Sequence, residues 1–414
     1  MLKSYWLNNN FYTLLLMLLV GCTSNTEESI TNKELVLGEV IEIPVATQHA
    51  KYPRLYSAND SLLYISWIED GHLPSINVAS YNTQTKSWQQ LPNAVQDSLL
   101  FVNWADFPEL TVDKDGNVLL QYLKITDASS PYAYHVMQQI YTRQTQQWTE
   151  PTRLHADTSS TEHGFVSTVP TVQGFTSIWL DGNRYAAAQM HSDEHEHAGE
   201  MSLRYRTTTS LGQLEAAQEI DARTCDCCNT ALASLPNQKL LVAYRNRSEE
   251  EIRDIYYSIF DKGNWSEPQP IANDNWQIYG CPVNGPAVTA SESMLAMAWY
   301  TGADGGKVQL RTSTDEGKNW SATLIADSLN PVGRVQLALQ SNKVGLLSWL
   351  NTEGKLLYRP FTTNGFINKA IIVDSVFASR KAGFPQMVNQ DNSVYIAYTL
   401  TGKGIKFRKI SLEL

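Results

Sequence analysis

The sequence predicts an all-β protein folded as a seven-bladed β-propeller of four-stranded antiparallel blades. Three observations carry that expectation. Charged residues make up only 18% of the 414-residue chain, while Trp and Tyr number 11 and 20, a composition suited to half-buried strands. A unit of Pro or a small residue, an apolar pair, a short turn and an apolar strand ending in Trp or Tyr recurs seven times. Copies follow one another at about 50–60 residues, a propeller-blade period.

The copies run over Tyr52–Trp67, Phe107–Tyr122, Val169–Trp179, Thr230–Tyr244, Gly285–Trp299, Val335–Trp349 and Phe384–Tyr398. Pro53, Pro108, Pro170, Pro286 and Pro385 open five of them. Six copies are followed by an alternating segment with a turn at its middle: Ile76–Leu91, Tyr134–Leu154, Met201–Ile220, Ile252–Ile271, Val308–Ile325 and Leu356–Val373. Each unit thereby has four strands. The seventh has only one strand after its first hairpin, in Gly404–Leu414, and Leu35–Pro44 is patterned like an outer strand. The N-terminal strand is therefore expected to complete the last blade and remove its free edge. Six blades is the alternative, if the short third unit is not a full one. Residues 35–414 are read as a single domain.

Lys3 precedes the apolar run Phe11–Val20, and small Gly21 and Cys22 follow it, the pattern of a secretory signal. The run is too short to span a bilayer permanently. Leu19-Val20-Gly21-Cys22 resembles the bacterial lipoprotein lipobox. That resemblance implies a signal peptide over residues 1–21, a lipidated Cys22, and a cell-envelope location. Thr23 after Cys22 points to the outer membrane if the source is Gram-negative. Residues 22–34 read as a polar, flexible tether. A net charge of −10 makes nucleic acid and anionic lipid poor partners, so membrane contact is expected through the anchor only, for a monomer.

Ser313, Asp315, Gly317 and Trp320 fit Ser-x-Asp-x-Gly-x-x-Trp, the Asp box, and the chain resembles the sialidase-like (BNR) propellers that carry it. Phe260–Trp265, Ser80–Trp88 and Tyr141–Trp148 are weaker copies. The box is a local device: Asp caps turn amides, Gly takes the tight conformation and Trp packs between hairpins. The resemblance implies an arginine cluster for a sugar carboxylate, a Tyr nucleophile with a Glu beside it, and an acid/base Asp. Tyr52-Pro53-Arg54-Leu55 sets Arg after Pro, where that family has Arg-Ile-Pro, and the sequence singles out no Tyr/Glu pair. The chain also resembles a group of sialidase-like envelope propellers with Cys-x-Cys-Cys and Gly-Cys-Pro-Val-Asn-Gly-Pro segments, here Cys225–Cys228 and Gly280–Pro286.

Aligned on the repeat, Asp106, Asn229, Asn284 and Arg334 share one place, two before the Pro position, and are expected to ring one mouth of the central channel. The catalytic candidates on this face are Asp106, Glu162, His163 and Asp181, with Glu162-His163 as an acid/base pair. The substrate-binding candidates are Arg54, Trp104, Arg184, Arg245, Arg247, Arg253, Asn284 and Arg334. Each also has a structural reading. Asp and Asn before a strand cap loop amides, and the arginines with Glu249–Glu251 and Asp254 can tie blades together.

Cys225, Cys227 and Cys228 precede the fourth inner strand and Cys281 precedes the fifth, so four thiols are expected close together. In an oxidising envelope, disulfides are the leading expectation and no cofactor is favoured. Cys-x-x-Cys redox chemistry or a copper or zinc site is the alternative, with His191, His195 and His197 as further candidate ligands. The functional expectation is an envelope propeller that binds an acidic glycan and, if an enzyme, is an exo-glycosidase. The alternatives are a non-catalytic platform for an envelope protein, and a metal or redox protein.

Overall fold

The inner strand of every blade touches the inner strand of the next around a closed ring. In chain order these strands are Ala50–Asn59, Glu109–Val112, His163–Thr171, Ala231–Ser234, Ala287–Ala290, Pro331–Leu339 and Gln386–Gln390. Each opens an antiparallel sheet whose strands follow outward in sequence, giving seven blades in the computed structural model. It describes residues 34–413, leaving aside 60, 131, 185–199 and 378. Cys22, the tether before residue 34, and His191, His195 and His197 lie outside the described residues.

The third unit is a full blade. His163–Thr171, Gly174–Asp181, Met201–Thr209 and Gln218–Thr224 pair in that order, which settles the count at seven. The last blade is closed from the other end of the chain: Glu34–Ile41 pairs antiparallel with Gly404–Glu413. Strand register thus follows the expected repeat, and the closing strand stops at Ile41 rather than reaching Pro44.

Two rows of aromatic side chains join neighbouring blades. The second strand of each blade ends in a buried Trp or Tyr: Trp67, Tyr122, Trp179, Tyr244, Trp299, Trp349 and Tyr398. Four of these carry their polar atom to an acid supplied by the preceding blade's outer segment. The Tyr244 and Tyr398 hydroxyls donate to Asp221 and Asp374, and the Trp299 and Trp349 indoles donate to Asp274 and Asp327. A buried indole or phenol needs such a partner, so each aromatic both fills its core and fixes the blade angle.

The outer row comes from the second hairpins. Trp88, Trp265 and Trp320 each pack edge-on against a ring of the preceding blade, Phe407, Tyr205 and Tyr257 respectively. The Trp148 indole donates to the Pro92 carbonyl, also one blade back. In the turn before Trp320, Asp315 accepts the Asn319 amide, the Gly317 amide donates to Ser313 Oγ, and Gly317 takes φ +83°.

Candidate functional site

Three blades begin with the same backbone distortion. Tyr52, Phe165 and Arg334 lie in the left-handed region at φ 53°, 53° and 54°, and the register of each inner strand slips beside them. Residues with a Cβ adopt this conformation only against an energetic penalty. A side chain of the preceding blade takes the N–H that the distortion presents. Thr399 accepts from Tyr52 at 2.9 Å, Asp106 from Phe165 at 2.8 Å, and Asn284 from Arg334 at 2.8 Å. Asn229 does the same for Gly285 at 3.0 Å. The expected common position of Asp106, Asn229 and Asn284 therefore has a structural meaning, since each oxygen latches its blade to the next.

Inside this ring is a cavity of about 190 Å³ to which every blade contributes. Its polar lining includes Arg54, Asp106, Glu109 and Gln386. Arg54 pairs with Glu109 and donates to Gln386, and its Nε has no partner. Burial lowers the Arg54 guanidinium to about 10, and Asp106 opposes that shift. Trp104 stacks on Phe384, and the Arg334 guanidinium lies 4.7 Å over the Trp104 ring. Arg334 Nη1 also donates to the carbonyls of Ser379 and Gly383.

Beside the cavity, two carboxyls and a phenol meet across Gly164. A Cβ on Gly164 would fall 1.9 Å from Asp106 Oδ2 and 3.4 Å from the Tyr134 ring, so glycine is required there. The Tyr134 hydroxyl donates to Glu162. Burial pushes Asp106 up to about 7, against the pull of the Phe165 amide and Arg54. Burial, with Asp106, Asp226 and Cys281 nearby, pushes Glu162 up to about 8. Both carboxyls are therefore shifted toward the protonated form, Glu162 further than Asp106. Burial likewise keeps the Tyr134 phenol well above its usual range.

Several expected site residues sit elsewhere. Glu162 and His163 do not form a pair: successive strand residues point to opposite faces, so Glu162 meets Tyr134 while His163 Nε2 lies 2.9 Å from Asp157. Asp181 is buried behind His163, where it accepts the Trp179 indole and the Asn183 amide. Arg245 is fully buried and donates to the Asn284, Arg253 and Tyr300 carbonyls. It also lies 4.9 Å over Trp276. Arg247 is held by Asp226 and Glu251, and Arg253 by Glu251. Arg184 forms an exposed pair with Glu219. These four arginines make contacts within the protein, Arg247 and Arg253 sharing the Glu251 carboxylate. Tyr134 was not legible in the sequence.

The four thiols do converge. Cys225 Sγ lies 3.9 Å from Cys227 Sγ and 3.6 Å from Cys228 Sγ, and Cys281 is within bonding reach of Cys227. All four are free thiols in this structure, not the two disulfides expected. Two N–H groups are aimed at sulfur: Arg253 Nη1 at Cys225 (3.3 Å) and the Asn284 amide at Cys228 (3.4 Å). Burial works against ionisation of Cys225, but the neighbouring thiols and Arg253 outweigh it and hold this thiol well below its usual range.

No protein-family model and no curated protein matches the chain. Solved structures do resemble it. The BP39L lectin from Burkholderia pseudomallei is 10% identical with a TM-score of 0.56, over 87% of this chain and 98% of that one. A polysaccharide lyase of family PL25, an ulvan lyase, is 13% identical with a TM-score of 0.53, over 90% and 95%. A protein of unknown function from Dyadobacter fermentans is 13% identical with a TM-score of 0.50, over 93% and 100%. At such identities the likeness establishes a shared propeller fold.

Proposed function

We propose that the protein binds an acidic glycan at the channel mouth and that Asp106 and Glu162 are the proton-transfer groups of a glycoside-cleaving site. The observation that carries this reading is the meeting of Asp106, Glu162 and Tyr134 around Gly164. Glycoside cleavage needs a carboxylic acid that keeps its proton at neutral pH and a second group on the other side of the scissile bond. The sialidase-like resemblance asks for a Tyr with a Glu beside it and an acid/base Asp, and Tyr134, Glu162 and Asp106 supply those types. Arg54 is the cation of the cavity that a sugar carboxylate would meet. The fold resemblance adds nothing to the chemistry, because propellers host unrelated functions.

One observation favours a second reading, a non-catalytic binding platform: Tyr134 and Asp106 are only 2% and 5% exposed. Turnover of fluorogenic sialosides and uronides, with a glycan-binding screen beside it, separates the two. Turnover abolished in a folded Asp106→Asn variant supports the enzyme. Glycan binding without turnover supports the platform. Neither binding nor turnover overturns the glycan reading.

The proposal extends to location: a cell-envelope protein held by lipid on Cys22. Metabolic labelling with an alkynyl fatty acid should mark the wild type and not Cys22→Ser. Labelling that survives the substitution refutes the anchor.

A further inference from the structure

Three imidazoles meet where the second blade joins the third. His135 stands on the strand Tyr134–Thr142, His155 follows the strand Thr152–Arg153, and His163 opens the inner strand of the third blade. The His155 and His163 rings lie parallel with centroids 3.7 Å apart, and His135 stands tilted to them at 4.8 and 5.5 Å. One nitrogen from each ring lies within 4.8 Å of the other two. Two carboxylates face the same group: Asp157 Oδ2 is 2.9 Å and Asp181 Oδ1 3.8 Å from His163 Nε2.

The hydrogen-bond partners show what this cluster lacks. His163 is wholly buried. Its Nδ1 faces the carbonyls of Thr161 and Tyr134 at 3.1 and 3.3 Å, and its Nε2 faces a carboxylate. Every one of these partners accepts only. A neutral imidazole has one N–H and one lone pair, so it satisfies one side and leaves the other in conflict. A positive charge on the Nε2 side removes the conflict. His155 is 3% exposed, and neither of its ring nitrogens has a partner. His135 Nδ1 is also buried without one. Orphaned buried nitrogens of this kind are rare in a folded protein and call for an explanation.

We propose that His135, His155 and His163, with Asp157 as the fourth donor, form a binding site for a divalent first-row transition ion of the zinc class. Three imidazoles and one carboxylate are borderline donors that suit such an ion. On His163 the ion replaces the charge that Nε2 lacks, while Nδ1–H remains on the Thr161 carbonyl and fixes the tautomer. Asp181, held by Trp179 and Asn183, stands on the same Nε2 side of His163 and adds negative charge there. The opposing group is Arg153, whose Nη1 lies 3.3 Å from His135 Nε2 and also donates to the Asp157 carbonyl. A tetrahedral ion about 2.0–2.1 Å from each nitrogen draws the donors closer than they now stand and requires one of the two stacked rings to turn, because parallel rings hold their lone pairs in separate planes.

This site is independent of the glycan reading. The thiols are a competing sink, so the test uses the mature protein with its cysteines blocked by alkylation. After chelator treatment and gel filtration in limiting zinc, one equivalent per chain is expected by elemental analysis. His155→Ala and His135→Gln should each lower affinity at least tenfold, read by competition with a chromogenic chelator. Cobalt loading of the same blocked protein gives a second readout: visible d–d bands from this site, free of the near-ultraviolet sulfur band that thiolate ligation produces. No retained metal in the blocked protein overturns the proposal. So does retention that neither histidine variant reduces. The half-buried position of His135 keeps the test decisive if His155→Ala fails to fold.

Discussion

The side-chain oxygen of Asn284 accepts the backbone N–H of Arg334 at 2.8 Å, where Arg334 sits at φ 54°. One amide thus holds a strained residue of the next blade. Its nitrogen donates to the Val332 carbonyl at 3.0 Å, and its own backbone carbonyl receives Arg245 at 2.7 and 2.9 Å. Asn284→Ala leaves a buried N–H without a partner, a loss of roughly 1–3 kcal/mol. Thermal unfolding should show the transition several degrees lower. An unchanged midpoint would mean that the amide serves a ligand and not the ring.

Arg245 should prove more costly to lose. Its guanidinium satisfies three buried carbonyls of two blades. Arg245→Leu removes several charge-assisted bonds at about 1.5–3 kcal/mol each, so urea denaturation should register a fall of at least about 3 kcal/mol. Arg245→Lys should not rescue it, because an ammonium cannot reach three carbonyls in one plane. Full stability in the lysine variant would show that charge alone matters there.

The contribution of Asp106 to stability should decline with alkalinity. Asp106 is raised to about 7, so between its unfolded range near 4 and this value the native state binds the proton that the unfolded chain has released. A raised carboxyl stabilises most at low pH, and that contribution is lost as pH rises through the folded value. Glu162, raised to about 8, acts with the same sign. Lowered groups such as Cys225 and Cys281 act with the opposite sign, so the carboxyl contribution is read as the difference between wild type and variant. The stability of the wild type relative to Asp106→Asn should drop as pH rises from about 5 to about 8, so the two pH slopes should differ. An equal slope in the variant would reject the assignment.

Among the thiols, Cys225 should ionise first once the protein is reduced. Arg253 and the two neighbouring thiols support its thiolate against the effect of burial. Thiolate absorbance in the far ultraviolet at neutral pH should be present in the wild type and lost in Cys225→Ser. Arg253→Met should raise the pH of its appearance. Absorbance retained in Cys225→Ser would move the thiolate to Cys281, which its contact with Cys227 lowers to about 7.

The fold was legible because a propeller repeats its local chemistry. A Pro, an apolar pair and a terminal Trp or Tyr recur at a spacing that only stacked blades explain. Asp106 was reachable by the same alignment, through its distance from Pro108. Tyr134 and His135 were not. They open a third strand, and their meeting with Glu162 and His163 depends on how two blades abut, for which no short-range spacing exists. The arginines mislead for a related reason. Arg54 faces the cavity and Arg245 is buried among carbonyls, yet both follow an ordinary apolar strand pattern in the sequence. What a guanidinium binds is decided by the neighbouring blade.

The pairing of Glu34–Ile41 with Gly404–Glu413 has a consequence for assembly in time. Within the propeller the earliest strand in the chain must find the latest, so the ring stays open until both have been made. Meanwhile both keep bare backbone edges, the form in which chains recruit one another into aggregates. Contacts this distant in sequence also form slowly. Nascent chains of this protein consequently need a period of shelter that a shorter-range fold would not require, and a truncation of only the final strand should cost solubility out of proportion to its length.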